Sequence, residues 1–451
     1  MTQAVERAAE SKQLVAGAAG SIEAVYVKIA KRIMPFMILL FVVAWLDRVN
    51  VGFAKLQMSI DLGFSEAVYG FGAGIFFLGY LLFEIPSNLF LAKIGARKTI
   101  ARIAILWGVT SIAMVLVKTT TSFYILRFLL GAFEAGLYPG VLLYLTYWFP
   151  AWHRAQIVGY FMTAVQIAGI VGGPISGWIM SAMGGWTGLA NWQWLFLLEG
   201  IPSVIMGLLT LVTIVDTPAQ ARWLTESEKR FVLADLEADH RQAGSRKHGF
   251  GEALQVPRLW LLTAIYFCLV SANPTLGFWG PTIISGLGVK SSMTIGLLSA
   301  VPYLVAVIGI TLVSRHSDRT LERRYHCALS CLVAAVGLVL IGVFANTPPL
   351  AFGGLVLGTS GVLSAMAPFW QMPTMLLTGT AAAGGIALIN SIGNVSGWLG
   401  PFVVGWLKDR TGETSSGLYV VAALEVLATA LIVTFMPRGS SGKAIPTMRE
   451  R

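Results

Sequence analysis

The sequence predicts an all-α integral membrane protein: twelve transmembrane helices in two pseudo-symmetric six-helix bundles. Three observations carry this reading. Only 12% of the 451 residues are charged and 56% are hydrophobic, with a mean hydropathy of +0.73, whereas a soluble domain carries about 25% charged residues. Roughly twelve apolar runs can be counted, each about 20 residues long and so able to cross a ~30 Å hydrocarbon core. The longest polar stretch falls after the sixth run and divides the chain six from six.

In order, the runs lie at about 33–54, 67–91, 99–117, 122–145, 155–180, 192–215, 258–286, 293–314, 325–345, 349–373, 382–406 and 415–437. The chain then divides into an N-terminal segment (1–32), a first bundle (33–215), a central loop (216–257), a second bundle (258–437) and a tail (438–451). Within the central loop, Thr225-Glu226-Ser227-Glu228 predicts a capped amphipathic helix on the membrane surface. A weak repeat supports the division. Pro174 in Gly169–Pro174 returns as Pro401 in Ser396–Pro401, 227 residues on, and Lys93 and Arg319 are 226 apart.

Charge sets the topology. Of the 32 Lys and Arg, 25 fall in the termini and in the loops on the same side, and five (Lys55, Lys118, Lys290, Lys408, Arg410) fall in loops on the other. The positive-inside rule then predicts that both termini are cytoplasmic. Basic residues sorted by membrane side do not form the patch that nucleic acid requires, despite a net charge of +10. No short apolar region with a cleavage site precedes the first span, so no signal peptide is expected and that span is retained. Cys268, Cys327 and Cys331 fall in predicted helices and read as buried, inert thiols. The five histidines map to loops or helix ends, and neither a metal site, nor a nucleophile-base pair, nor a phosphate loop is visible. An enzyme is not expected, nor any cofactor.

Two charged sets stand inside the spans: Asp47-Arg48 in the first, and Arg127 with Glu134 in the fourth. Charge within a bilayer is costly and marks a functional site with its partner nearby. Arg127, Gly131, Glu134 and Tyr138 are spaced by 4, 3 and 4 and form one helical stripe, on which Arg127 and Glu134 sit about 10 Å apart along the axis. The bland reading is an ion pair that fixes packing. Gly131 leaves room for a neighbouring helix or a ligand. Asp47 and Arg48, being adjacent, project about 100° apart; one reading sends Arg48 to a cavity and Asp47 to the packed side near span 4. Arginine suits carboxylate binding because its planar fork is bidentate and stays charged, and its alternative is snorkelling to headgroups. Pro274 stands 227 residues after Asp47, so no charge faces the site from the second half. Tyr80, Glu84, Gln166, Trp370, Gln371, Asn390 and Asn394 are the candidates to complete it, with interhelical hydrogen bonding as the alternative for each amide. Glu199 and Glu425 read as packing residues.

Two six-helix halves with a site near the midplane between them is the logic of a large transporter class, and Ser317-Asp318-Arg319-Thr-Leu-Glu322-Arg323-Arg324 resembles the signature loop of the major facilitator superfamily. Its first-half copy, Leu91–Lys98, has Ala92 where the usual Asp stands. The strings Trp45–Asn50, Phe83–Asn88, Arg127–Pro139, Gly277–Pro281 and Asn390–Asn394, in that order, resemble the anion:cation symporter family of bacterial organic-acid permeases. The resemblance implies the major facilitator fold and proton-coupled uptake of an aromatic, hydroxy or sugar acid across a bacterial inner membrane, by a monomer that needs protons and no other cofactor. It implies Asp47 and Glu134 as proton-coupling residues and Arg48 as the carboxylate ligand. Arg127 would pair with Glu134, and Asp318 and Arg319 would belong to the gating loop. The small-xxx-Gly-Pro string on the fifth span also partly resembles proton-coupled drug exporters, which keeps export as the alternative.

Overall fold

The computed structural model describes residues 2–185, 188–243, 256–376 and 380–437; the predicted tail and part of the central loop lie outside them. The described residues are helices and their connections, with no strand. Eleven helices among them are long and apolar enough to cross a membrane: Ile22–Leu62, Glu66–Leu91, Ala96–Leu116, Thr120–Thr146, Ala151–Ala182, Asn191–Thr213, Pro257–Gly286, Ser292–Thr320, Arg324–Val343, Pro348–Pro373 and Ser415–Phe435. The helix Thr380–Thr411 stands in the remaining place. These are spans 1–12 in chain order, with Thr380–Thr411 as span 11.

The helices overrun the apolar runs because a helix continues wherever its polar groups find partners. Span 1 bends at Asn50 and proceeds as Val51–Leu62, so Lys55 lies in a helix and not in a loop, buried with its ammonium 2.7 Å from Glu66. Span 8 runs to Thr320, which puts Asp318 and Arg319 in its last turn; only 321–323 separate it from span 9. Leu321 ends span 8 in the left-handed region at φ 52. In the central segment, Thr225 accepts the Glu228 N–H (3.3 Å) while Glu228 accepts the Thr225 N–H (2.7 Å), the reciprocal cap that starts the helix Glu226–Ala243. That helix lies against the start of spans 1 and 5 through Tyr26–Asp235 (2.7 Å), Lys28–Glu228 (2.8 Å) and Arg154–Asp239 (3.1 Å).

Span 2 packs on span 11, and span 5 on span 8. These two contacts are copies of each other under the internal repeat. Gly70 and Gly296, 226 residues apart, each seat a backbone carbonyl of the opposite half: a Cβ would fall 2.5 Å from Pro401 O at Gly70 and 2.3 Å from Gly173 O at Gly296. Only hydrogen at those positions allows the helices to approach so closely, the small-residue logic of membrane helix packing.

The halves are joined by polar contacts on the face opposite the termini. There Glu66 at the start of span 2 is bonded by Lys55 and by Lys408 of span 11 (2.8 Å), and the Asp409 carboxylate accepts the N–H groups of Glu66 (3.0 Å) and Ala67 (2.8 Å). Trp279 underlies both ammonium groups, at 4.8 and 5.6 Å from its ring centre. Toward the termini, a cavity of about 420 Å³ opens between the first half of span 1 and span 5.

Candidate functional site

Between the halves, near the middle of spans 2 and 11, lies a cavity of about 150 Å³. Span 1 gives it Trp45 and Arg48, span 2 Tyr80, span 4 Tyr138, span 7 Tyr266 and Asn273, and span 11 Asn390 and Asn394. Among the described residues Arg48 is the only charged side chain in this lining, with aromatic rings around it and amides from the second half.

The guanidinium of Arg48 is held from several sides. Its carbon lies 5.0 Å from the ring centres of Trp45 and Phe76 and 5.5 Å from that of Tyr80, contacts that fix the plane of the fork. One terminal nitrogen pairs with Glu134 Oε1. Its Nε makes no hydrogen bond, and neither does Glu134 Oε2. The site thus joins a cation and a buried carboxylate that still have bonding capacity.

Arg127 does not pair with Glu134. It donates instead to backbone carbonyls of span 2, from Nε to Gly72 (3.3 Å) and from Nη2 to Ala73 (2.9 Å). The reason lies at Gly131, where a Cβ would stand 1.9 Å from the Phe76 carbonyl oxygen. Span 2 occupies the space between the two charges, so each finds a partner elsewhere. Nor is the stripe continuous: the helix stops at Glu134 and restarts at Leu137, through Gly136 at φ 88, a conformation that suits glycine. Tyr138 still reaches the cavity, after the break.

Asp47 faces away from the cavity, and its hydrogen bonds go to spans 3 and 6. Its carboxylate accepts Trp107 Nε1–H (2.7 Å), Ser111 Oγ–H (2.8 Å) and Ser203 Oγ–H. Trp107 and Ser111 are four apart on span 3, a spacing that offers two donors from one face.

Asn390 and Asn394 line the cavity, and Asn390 also donates to Glu84 Oε1 (3.3 Å). Trp370 stands behind the wall, its ring 4.8 Å from that of Tyr266. Gln166, half-buried on span 5, and Gln371, exposed on span 10, are outside the lining. Asp318 pairs with Arg323 (2.6 Å), whose guanidinium also bonds Ser317 (2.8 Å), and Arg319 is exposed. Glu322 beside them is partly buried, which favours its neutral form; hydrogen bonds from the Tyr325 and His326 N–H groups and the His326 ring outweigh this and hold its carboxyl below the usual glutamate range. Tyr266 and Asn273 escaped the sequence reading, since neither carries a charge to set it apart in an apolar run.

A fold of two repeated six-helix halves around a central polar cavity defines a membrane transporter. A family profile described as Major Facilitator Superfamily matches residues 36–401, and the chain belongs to that superfamily. It is a multi-pass membrane transporter rather than an enzyme. It is 47% identical to a protein of Agrobacterium vitis named as a tartrate transporter, over 93% of this chain and 92% of that one. It is 40% identical to a quinolone resistance transporter of Acinetobacter baumannii, over 90% and 93%. Among solved structures it superposes on the inward-open xylose transporter XylE of E. coli with a TM-score of 0.73 at 15% identity, over 92% of this chain and 98% of that one; this likeness concerns the fold.

Proposed function

We propose that the protein is a proton-coupled symporter that takes up a hydroxylated organic carboxylate by alternating access, with Arg48 as the carboxylate anchor. The observation that carries this reading is Arg48 itself: a cavity-lining guanidinium clamped by three rings, paired with a buried carboxylate and retaining an unpartnered nitrogen. Kinship with the A. vitis protein named as a tartrate transporter supports the choice of a hydroxy acid, and the amides of Asn273, Asn390 and Asn394 opposite Arg48 suit hydroxyl groups.

Coupling follows from competition. While Glu134 is ionised it occupies Arg48; once protonated it releases the guanidinium to the substrate carboxylate, so proton and substrate bind together. Energetics favour such a scheme, because an inside-negative potential opposes anion entry by ~2.3 kcal/mol per charge per 100 mV. Asp47 and Glu134 together would carry a monoanion inward with net positive charge, or a dianion without net charge. The charge distribution of the loops supports cytoplasmic termini in a bacterial inner membrane.

The test is uptake of radiolabelled tartrate, galactonate, phthalate and hydroxyphenylacetate into proteoliposomes, with an inward proton gradient imposed and then collapsed. Accumulation that vanishes with the gradient is the expected result. The second reading, proton-coupled export, draws on kinship with the quinolone resistance transporter; efflux of a quinolone against its gradient, with no gradient-driven acid uptake, would replace the first reading by the second.

A further inference from the structure

Behind the cavity wall, a second acid lies one helical turn before Ser203, a donor to Asp47. Glu199 on span 6 is 4% exposed. Its Oε1 accepts the Ser176 hydroxyl of span 5 (2.7 Å), and its Oε2 is buried with no partner. Four residues on, Ser203 donates to Asp47, so Glu199 and Ser203 form one stripe of span 6 that faces span 1. Asn50, three residues after Asp47, faces Glu199; both polar atoms of its buried amide lack a hydrogen-bond partner. Asp47 and Glu199 therefore belong to one buried polar chamber bounded by spans 1, 3, 5 and 6.

Among the described residues no cation balances this chamber. Arg48 turns to Glu134 and Arg127 to the carbonyls of span 2. Of the elements packed against span 6, span 3 presents Trp107 and Ser111, and span 5 presents Ser176. Span 1 presents Asp47, while its Lys55 is bound to Glu66 and its Asp61 to the Trp192 indole (2.9 Å). Two adjacent carboxylates without a cation cannot both be ionised in such a medium, and like charges at close range share a proton instead. The donors are divided unequally: three hydrogen bonds reach Asp47, whereas Glu199 accepts one from Ser176 and has the Asn50 amide facing it. That division assigns the negative charge to Asp47 and the proton to Glu199.

We propose that Glu199 is a further proton-carrying residue of transport, coupled to Asp47 through the neighbouring Asn50 and Ser203, so that the chamber loads and unloads one proton per cycle in addition to the proton on Glu134. This rests on the symport reading above. The rival role for Glu199 is structural, a hydrogen bond that ties span 6 to span 5.

The experiment measures the proton-to-tartrate ratio of the full chain in proteoliposomes, from the pH gradient that just balances a fixed tartrate gradient while the membrane potential is clamped at zero. Wild type is measured first, and if it shows no proton-driven flux the symport reading fails and not this one. Glu199→Gln keeps the volume and the bond to Ser176 but cannot release a proton. The expected result is a ratio one proton lower than wild type, with tartrate exchange retained. An unchanged ratio with unchanged pH dependence overturns the proposal, since a tie between helices would leave both intact. Should that variant fold poorly, Ser176→Ala removes only the donor to Glu199: a shifted pH midpoint of uptake supports the proposal, and an unshifted one refutes it. Infrared difference spectra on deprotonation in a Glu134→Gln background give an independent reading, because a proton released from the chamber then removes a carboxylic C=O band, and its absence refutes the proposal.

Discussion

Arg48→Lys isolates what the guanidinium fork contributes. In the structure one terminal nitrogen is committed to Glu134 while Nε is free, and the plane is held by Trp45, Phe76 and Tyr80. Lysine keeps the charge but concentrates its donors at one point, so once Glu134 has released it, it cannot meet both oxygens of a substrate carboxylate in one plane. One charge-assisted hydrogen bond is worth about 1.5–3 kcal/mol, and weakened stacking among the rings adds about 0.5–1 kcal/mol. The combined loss of about 2–4 kcal/mol corresponds to a roughly 30- to 1000-fold rise in KM for tartrate. The assay is counterflow of radiolabelled tartrate in proteoliposomes, where no proton gradient is needed and a defect in coupling does not masquerade as one in binding. Thermal unfolding in detergent establishes that the variant is folded. A KM within threefold of wild type in a folded protein would refute the assignment of Arg48 as the anchor and return it to a packing role.

Glu134→Gln removes the competitor for Arg48 while keeping its shape; gradient-driven accumulation is expected to disappear and tartrate exchange to persist, as read by uptake with and without a proton gradient. Gly131→Ala places a Cβ 1.9 Å from Phe76 O and forces spans 2 and 4 apart, so a loss of about 1–3 kcal/mol is expected, read as a lower Tm. Glu66→Gln weakens the bonds to Lys55 and Lys408 that close the face opposite the termini; a cysteine at Phe77, on the cavity wall, should then react several-fold faster with an impermeant maleimide applied from that face. Glu322 carries a lowered pKa, so its contribution to stability is present above the unfolded glutamate value and is lost as the pH falls through the folded one. Glu322→Gln should accordingly lower Tm at neutral pH, and the difference should close under acid.

The spans were legible because crossing a bilayer demands length and apolarity, which composition reveals residue by residue. Arg48 and Asp47 were legible as opposite-facing neighbours, since helical geometry alone separates them. Their partners were not. Whether Glu134 meets Arg127 or Arg48 is decided by how closely span 2 approaches at Gly131, a tertiary fact that spacing along span 4 cannot contain. Lys55 read as a loop residue because an unpaired lysine belongs in water; Glu66 and Trp279, supplied by other helices, reverse that preference. The interruption at Gly136 was hidden because the apolar run continues across it.

The uneven distribution of charge between the halves bears on how transport works. The described cavity wall takes its cation from the first half, and the acids Glu134, Asp47 and Glu199 are all buried there, while the second half contributes Tyr266, Asn273, Asn390 and Asn394. Proton binding can therefore change the first half without altering any charge in the second half's wall, and the second half then acts as a polar surface that moves over the site. The joints between halves suit such motion. At Gly70 and Gly296 carbonyls rest on bare backbone, where no side chain must be withdrawn before the helices shift. The ionic bonds of Glu66, by contrast, must break before the opposite face can open. Closure on that face is thus held by a few polar contacts over a smooth helix interface, so disrupting Glu66 should change the balance between the two open states while leaving the binding of tartrate at Arg48 in place. A Glu66→Gln variant that loses tartrate affinity as severely as Arg48→Lys would sink this separation of gate from site.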